Sequence, residues 1–427
     1  MLNKEENDLL TRVEGDWPMG ELMRQHWVPV CLSEEVAEPD GKPLRVEAIG
    51  RAYVCFRDTE GRLGLLDELC PHRKASLVYG RNEECGLRCL YHGWKFDVDG
   101  NCVAMSSEPQ ESPLHGKVKH RSYPVVECGG FVWAWLHTEI EAPEFQRPAF
   151  APDDDTRVSI LKMRIPANWA QITEGQIDSA HSSSLHSSDM KPARVEGAAA
   201  DDKSWYRPST DKSPRMQTQT TPYGFHYAAI RKPIKNAGTH NYLRITEYIA
   251  PFTSLIPPNN NYNVATVIVP ISDEESHFHF IAWGGVACPP TDEWRRFAHT
   301  VPGEHLDHLW RPKRTLENDF LQDRDLMKEG HFSGVLGIPN QDLVMWVSMG
   351  ARVDRSSDLL GASDLAIVEF RRLMSDAARR VAEGGPAIGT EEPRVPQVTI
   401  SSKEGVYPKD VDWRTIEDST GAVAAAE

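Results

Sequence analysis

A chain of 427 residues is long enough for two domains whose cores need no covalent staples. With 63 acidic against 47 basic side chains and a formal net charge of -16, it lacks the basic surface that nucleic acid or an anionic membrane attracts. No apolar run approaches the roughly 20 residues that span a bilayer, and the opening Met1-Leu2-Asn3-Lys4-Glu5-Glu6-Asn7 has no signal-peptide core, so the cytoplasm is the expected location. In that reducing compartment the eight cysteines are expected as thiols or metal ligands rather than disulfides.

Residues 1–39 read as a mixed N-terminal segment, in which a helical pattern from Met19 to His26 leads into Trp27-Val28-Pro29-Val30. From 40 to 150 the pattern is all-β. Leu44 to Ile49, Ala52 to Phe56 and Leu63 to Leu66 are short apolar runs punctuated by Asp40-Gly41 and Glu60-Gly61, and further strands are expected at Lys95 to Val98 and Gly130 to Leu136. A Pro- and Asp-rich linker from Glu141 to Asp155 leads into a second domain, 151–385. Helical character from Asn168 to Leu185 precedes strands at Gly224 to Ile230, Tyr242 to Ile249, Val264 to Pro270 and His277 to Gly284, which make an antiparallel sheet. Helices are expected near Asp292 to Trp310, Arg311 to Lys328 and Asp364 to Glu383, with a strand at Leu343 to Met349. Residues 386–427 form a Pro-, Ser- and Ala-rich tail that wraps or dangles. The fold class is α+β, an all-β N-terminal domain followed by an antiparallel sheet flanked by helices.

Within the β domain, Cys70-Pro71-His72 and Cys89-Leu90-Tyr91-His92 supply two thiolates and two imidazoles in two short pairs. Zinc also takes Cys₂His₂ sets, but those usually group the cysteines together and the histidines together. Mixed pairs suit a [2Fe–2S] cluster in which one iron takes both thiolates and the other both imidazoles. The remaining cysteines (Cys31, Cys55, Cys85, Cys102, Cys128, Cys288) read as buried or chance thiols.

Cys70, His72, Cys89 and His92, with Pro71, Tyr91 and Gly93-Trp94 around them, resemble a Rieske domain. Respiratory-type Rieske proteins usually carry an extra cysteine in each cluster loop. Lys74, Ala75 and Leu90 stand in that neighbourhood here, so the pattern resembles the oxygenase and ferredoxin branch. A Rieske ferredoxin needs only about 100 residues, which leaves most of the chain to explain. Asp178-Ser179-Ala180-His181-Ser182-Ser183-Ser184-Leu185-His186 follows downstream. Residues five apart lie about 140° round a straight α-helix, so His181 and His186 reach one ion only if the helix breaks between them, and the serines permit that break. Asp-x-x-His-x-x-x-x-His after a Rieske motif resembles the active-site segment of Rieske oxygenases. By that resemblance His181 and His186 are two of three ligands in a facial triad around a mononuclear Fe(II).

The third ligand is a carboxylate far along the chain. Asp319, Asp323 and Asp325 lie in a pattern rich in Arg and Glu that reads as a solvated face, whereas Asp342 immediately precedes the apolar run and is favoured. Gln341-Asp342, Ser348-Met349-Gly350 and Asp354-Arg355-Ser356 also match the phthalate dioxygenase-like branch, a resemblance that extends over nearly the whole chain. It implies an aromatic ring-hydroxylating dioxygenase acting with O₂ on an aromatic carboxylate, with cis-dihydroxylation of phthalate or a close aryl carboxylate as the first expectation. Monooxygenation or O-demethylation of an aryl acid is the alternative, and a Rieske electron carrier with a binding domain is the rival from another class. The same resemblance implies an NADH-dependent flavin/iron–sulfur reductase as partner and a homo-oligomer, trimer or stacked trimers (a hexamer). No GxGxxG motif occurs, consistent with NADH being handled by a separate protein.

Asp178 is expected to accept the free ring N–H of His181. In related oxygenases the corresponding aspartate also reaches a Rieske histidine of the neighbouring subunit, which makes Asp178 an electron-transfer bridge by resemblance. For an aromatic dicarboxylate, guanidinium pairing is the natural compensation for desolvating the anions. Arg244 lies in a strand pattern, and Arg207 in Trp205-Tyr206-Arg207-Pro208 resembles a substrate-binding position of phthalate-specific members. Pairing of each arginine with a structural acid such as Glu247 is the competing account.

Overall fold

In the computed structural model, residues 2–191, 205–257 and 261–416 are described. The chain divides into two compact units, Val13–Phe145, and Met1–Arg12 with Gln146–Glu427. This division falls at 12/13 and 145/146, where the sequence reading set 39/40 and 150/151. The reason is pairing: Trp27–Leu32, from the supposed N-terminal segment, lies antiparallel to Phe131–Trp135 and belongs with the β unit.

The Val13–Phe145 unit holds three small antiparallel sheets. Trp27–Leu32, Phe131–Trp135 and Val125–Cys128 form one, Leu44–Ala48, Arg51–Arg57 and Leu63–Asp67 a second, and Arg81–Glu83, Gly86–Arg88, Trp94–Phe96 and Cys102–Met105 the third. The tight hairpin of the second sheet turns at Ile49-Gly50, with both residues at positive φ (49° and 73°), as a type I′ turn demands. A β-branched residue is costly there. Complete burial of the Ile49 side chain offsets that cost.

The second unit is built on an eight-stranded antiparallel sheet. Arg157–Ile165, Ser276–Gly284, Asn263–Pro270, Thr253–Ile256, His240–Ile249, Gly224–Arg231 and Arg215–Thr221 follow one another across it. The short strand Thr253–Ile256 covers only the end of His240–Ile249, and Lys403–Pro408 from the tail pairs with the rest of that edge. The tail therefore closes an edge that would otherwise expose unpaired backbone groups.

Helix Leu365–Ala382 buries Ala366, Phe370, Leu373, Met374, Ala377, Ala378 and Val381 at three- and four-residue spacing. Its Phe370 meets Trp169 of helix Trp169–Gln176 edge-on at 5.7 Å and Tyr248 of the sheet at 5.4 Å. Gly175 lets helix Ile338–Ser348 approach, since a Cβ there would stand 2.3 Å from Nε1 of Trp346. Leu343 to Met349 is thus not a strand: Gly337 at φ 84° and Pro339 in the first turn start a helix, along which Leu343 and Trp346 are buried and Met345 is exposed. The two long helices expected between 292 and 328 shrink to Thr291–Phe297 and Arg324–Lys328, because Pro302-Gly303 and Pro312 interrupt the pattern. No helix among the described residues is long and apolar enough to cross a membrane.

Candidate metal centres

In the β unit the two Cys/His loops are built alike. The amide of Cys70 donates to the carbonyl of Ala75 (2.9 Å) and that of Lys74 to Cys70 (2.9 Å), while Cys89 donates to Trp94 (2.8 Å) and Gly93 to Cys89 (3.0 Å). The fourth residue after each cysteine is left-handed, Lys74 at φ 61° and Gly93 at φ 72°. Two copies of one turn thereby present two cysteines and two histidines. Cys70 and Cys89 are buried within the core formed by Val54, Phe56, Leu66, Leu77, Leu87, Trp94 and Phe96. The imidazoles of His72 and His92 lie 4.3 Å apart, and His72 stacks on Trp94 at 4.4 Å. Burial, then the neighbouring Cys89, pushes the Cys70 thiol up. Nδ1 of His72 is buried with no hydrogen-bond partner. Two adjacent buried thiols and an orphaned imidazole nitrogen fit a cationic group bound between the loops, which ionises the thiols and occupies the nitrogen.

In the sheet unit, helix Trp169–Gln176 ends before Asp178, and a turn of 3₁₀-helix, His181–Ser183, takes over. The helical stretch expected to run to Leu185 thus stops before His181, so neither histidine lies on the α-helix and no break between them is needed. Nε2 of His181 and Nε2 of His186 come within 3.0 Å, and Oδ1 of Asp342 lies 3.2 Å from the latter and 3.6 Å from the former. Two donors about 2.1 Å from one ion and about 90° apart are about 3 Å from each other, so the triangle has the dimensions of three facial positions. The rival carboxylates are elsewhere: Asp323 caps helix Arg324–Lys328, Asp325 pairs with Lys328, and Asp319 is exposed. Asp342 comes from the first turns of helix Ile338–Ser348, not from the start of a strand.

Asp178 turns the chain into this site. Its Oδ1 accepts from the amide of Ala180 (2.7 Å), and its Oδ2 faces Nδ1 of His181 at 3.4 Å. Burial opposes the Asp178 charge, but hydrogen bonds from His181 and the Ala180 amide hold the carboxyl below its usual range. Burial likewise opposes a charge on His181, and Asp178 and Asp342 outweigh it and raise the imidazole. On the far side, Nδ1 of His186 meets Oε1 of Gln341 at 2.7 Å.

The triad ends a partly open cavity whose walls include Trp205, Tyr227, Ile256, Phe278, Phe280 and Pro339, with Arg244 and Thr246. Alternation along the strands explains that lining. Leu243, Ile245, Ala228 and Ile230 pack under Trp413 on one face. Tyr242, Arg244 and Thr246, opposite Arg231, Ala229 and Tyr227, therefore share the other. Arg244 donates to the carbonyl of Pro257 (3.2 Å), and its Nε lies 4.0 Å from Oε2 of Glu404. Glu247 instead accepts from Tyr223 (2.8 Å) and faces His226. Arg207 donates to the hydroxyls of Ser183 (2.9 Å) and Ser182 (2.8 Å), and Arg231 to the carbonyl of Ser179 (2.7 Å). Among the described residues, Nε of all three arginines has no hydrogen-bond partner. Burial, then Arg244 and Arg231, lowers Arg207 to about 9, and burial with Arg244 lowers Arg231 to about 10. Three buried guanidiniums, of which Arg244 lines the cavity, make this side of it a place for an anion.

A family model for the Rieske [2Fe-2S] domain matches residues 26–125, and one described as LigXa C-terminal domain like matches 134–427. The chain belongs to the Rieske non-haem iron oxygenases. It is 58% identical to the phthalate 4,5-dioxygenase oxygenase subunit of Pseudomonas putida over 97% of this chain and 94% of that one. It is 35% identical to the 3-chlorobenzoate-3,4-dioxygenase oxygenase subunit of Comamonas testosteroni, over 96% of each. Among solved structures, dicamba monooxygenase bound to dicamba superposes with a TM-score of 0.57 at 17% identity, covering 84% of this chain and 98% of that one, a likeness of fold. This Rieske oxygenase accordingly uses a Rieske cluster, a mononuclear iron and O₂. Sequence reasoning missed four residues around the iron site: Gln341, Asp189, Arg231 and Glu404. Gln341 was visible only as the neighbour of Asp342, and Glu404 lay in a tail with no pattern to mark it.

Proposed function

We propose that this chain oxygenates an aromatic dicarboxylate, phthalate or a close aryl carboxylate, by cis-dihydroxylation. In this reading Cys70, His72, Cys89 and His92 hold the [2Fe–2S] cluster, and His181, His186 and Asp342 hold the iron. When bound, the cluster relays single electrons and the iron activates O₂. The chain's own side chains bind, orient and exclude water. Arg244 on the cavity wall and Arg207 beside it take the carboxylates, exchanging serine hydroxyls and a carbonyl for charge-assisted pairs. Phe278, Phe280, Trp205 and Ile256 enclose the ring and keep water from the iron face. Asp178 receives the ring N–H of His181 and carries electrons from a Rieske histidine of the neighbouring subunit. That role requires a homo-oligomer, trimer or stacked trimers, and the electrons come from an NADH-dependent flavin/iron–sulfur reductase, all in the cytoplasm.

The excess of buried guanidinium beside the triad carries this reading, since it matches the two charges of the substrate named for the Pseudomonas putida relative. The test is NADH-driven turnover with a matched reductase on a panel of aryl mono- and dicarboxylates, with products identified. Losing a charge-assisted pair costs about 2–5 kcal/mol, so Arg207→Ala and Arg244→Ala are each expected to raise KM for the dicarboxylate at least about tenfold, with little change for an uncharged aromatic. Unchanged KM in both variants for every active aryl acid would remove the clamp.

A further inference from the structure

Helix Ile338–Ser348 begins with two side-chain amides that do different work. Asn340 donates to the carbonyls of Ala298 (3.2 Å), His299 (3.0 Å) and Leu336 (3.1 Å), which fixes the first turn and hence the height of Asp342. Gln341 is fully buried, and its Nε2 donates to Oδ2 of Asp189 (2.8 Å) and to the carbonyl of Val335 (2.8 Å). Both partners accept only, so the amide has one orientation and its oxygen is the end that meets Nδ1 of His186 at 2.7 Å. A carbonyl oxygen donates nothing. Nδ1 of His186 therefore carries the proton, and the lone pair is left on Nε2, the atom that lies beside His181 and Asp342.

We propose that Gln341 is a positioning residue that locks His186 in its Nδ1–H tautomer, and that Asp189 acts through it by fixing which way the amide points. The relay presets one ligand of the iron before metal arrives. It also explains why the two histidines are backed differently. His181 faces the carboxylate of Asp178, whereas His186 meets a neutral amide that supplies an acceptor without placing another anion directly against the ring. The carboxylate of Asp189 stands one residue further out, where it orients rather than charges the centre.

The inference rests on His186 being an iron ligand, and the test reads the tautomer separately from metal binding. In the full-length chain, stripped of mononuclear metal and carrying ¹⁵N-labelled histidine, the His186 signal is identified by its loss in His186→Gln. With the ring neutral it should show a protonated Nδ1 and an unprotonated Nε2. Gln341→Leu should lose that pattern and bind Co(II) at the mononuclear site about 10- to 100-fold more weakly. The double variant Gln341→Glu, Asp189→Asn keeps an acceptor against Nδ1 of His186 and a donor on its far side, and should restore the tautomer although the carbonyl of Val335 loses its donor. A protonated Nε2 in the unsubstituted protein overturns the proposal. So does a Gln341→Leu protein with unchanged Co(II) affinity, or a double variant that does not restore the tautomer. Should Gln341→Leu not fold, the unsubstituted protein and the double variant decide. A His186 with the expected tautomer whose loss leaves Co(II) binding intact would instead refute the ligand assignment.

Discussion

Glu404 gives the anion wall a dependence on pH that can be worked out from its surroundings. It lies on Lys403–Pro408 directly opposite Arg244, accepts from the Tyr242 hydroxyl at 2.8 Å and stands 4.0 Å from Arg244 Nε. Arg207 and, on its own strand, Tyr407 also act on it. Burial pushes Glu404 up to about 7, against the lowering influence of Arg244, the Tyr242 hydrogen bond and Arg207. Ionised, it competes with a substrate carboxylate for Arg244; protonated, it withdraws from that competition. If the dianion binds only to the protonated form, apparent KM is multiplied by 1 + 10^(pH−7), about 1.1 at pH 6, about 2 at pH 7 and about 11 at pH 8. Glu404→Gln is a neutral isostere and should flatten that rise, read as KM for phthalate across this range with an uncharged aromatic as control. Parallel profiles for the two proteins would refute the argument. Stability has its own sign. A carboxyl raised above its unfolded value contributes fully below about 4.5 and loses that contribution as pH rises through about 7, at most about 3 kcal/mol from 1.36 per unit. With about 20% of the side chain exposed, the full amount is not reached. Glu404→Gln should therefore gain on the unsubstituted protein in denaturant midpoint between pH 5 and pH 8.

His181→Ala or His186→Ala should abolish turnover while leaving the visible spectrum of the Rieske cluster intact, because the two ligand sets belong to separate units. Loss of that spectrum would sink the two-site assignment. Asp342→Ala should lower the iron content from about three to about two per two sulfides, and full retention of iron would point to another carboxylate. Asp178→Asn should keep both metals yet slow cluster oxidation severely in single-turnover stopped flow; an unchanged rate rules out the bridge.

Much of the fold was legible because its strands alternate. Gly224 to Ile230, Tyr242 to Ile249, Val264 to Pro270 and His277 to Gly284 all appear as strands within a residue or two. Helix Ile338–Ser348 was not legible, since Leu343-Val344-Met345-Trp346-Val347 is a short apolar run that fits a buried strand as well as a buried helix. What decides between them is Gly337-Ile338-Pro339, a helix start, and a Cβ on Gly337 would stand 2.2 Å from the Ala298 carbonyl oxygen. The strand Lys403–Pro408 was hidden for a different reason. Lys-Glu-Gly-Val-Tyr-Pro has little apolar pattern of its own, and it is a strand because His240–Ile249 offers an open edge.

At the iron site the sequence spoke through side chains whose chemistry is local and stayed silent where partners come from afar. The spacing of His181 and His186 does not suit one straight helix, and the helix in fact ends at Gln176, before both, with the serine run between them starting in a 3₁₀ turn. That run also does something propensity does not express. Ser182 and Ser183 receive Arg207, and Ser179 receives Arg231, so the loop that carries His181 holds two of the three buried guanidiniums by neutral oxygens. Aspartates at 182 and 183 would satisfy Arg207 fully and leave nothing for an incoming anion, while alanines there would remove its hydroxyl acceptors. Hydroxyls lie between these extremes. They make the arginines tolerable in the free protein at hydrogen-bond strength, weak enough for a substrate carboxylate to displace. A serine run between the two histidines proposed to hold the iron is thus a way to hold a buried cation without neutralising it.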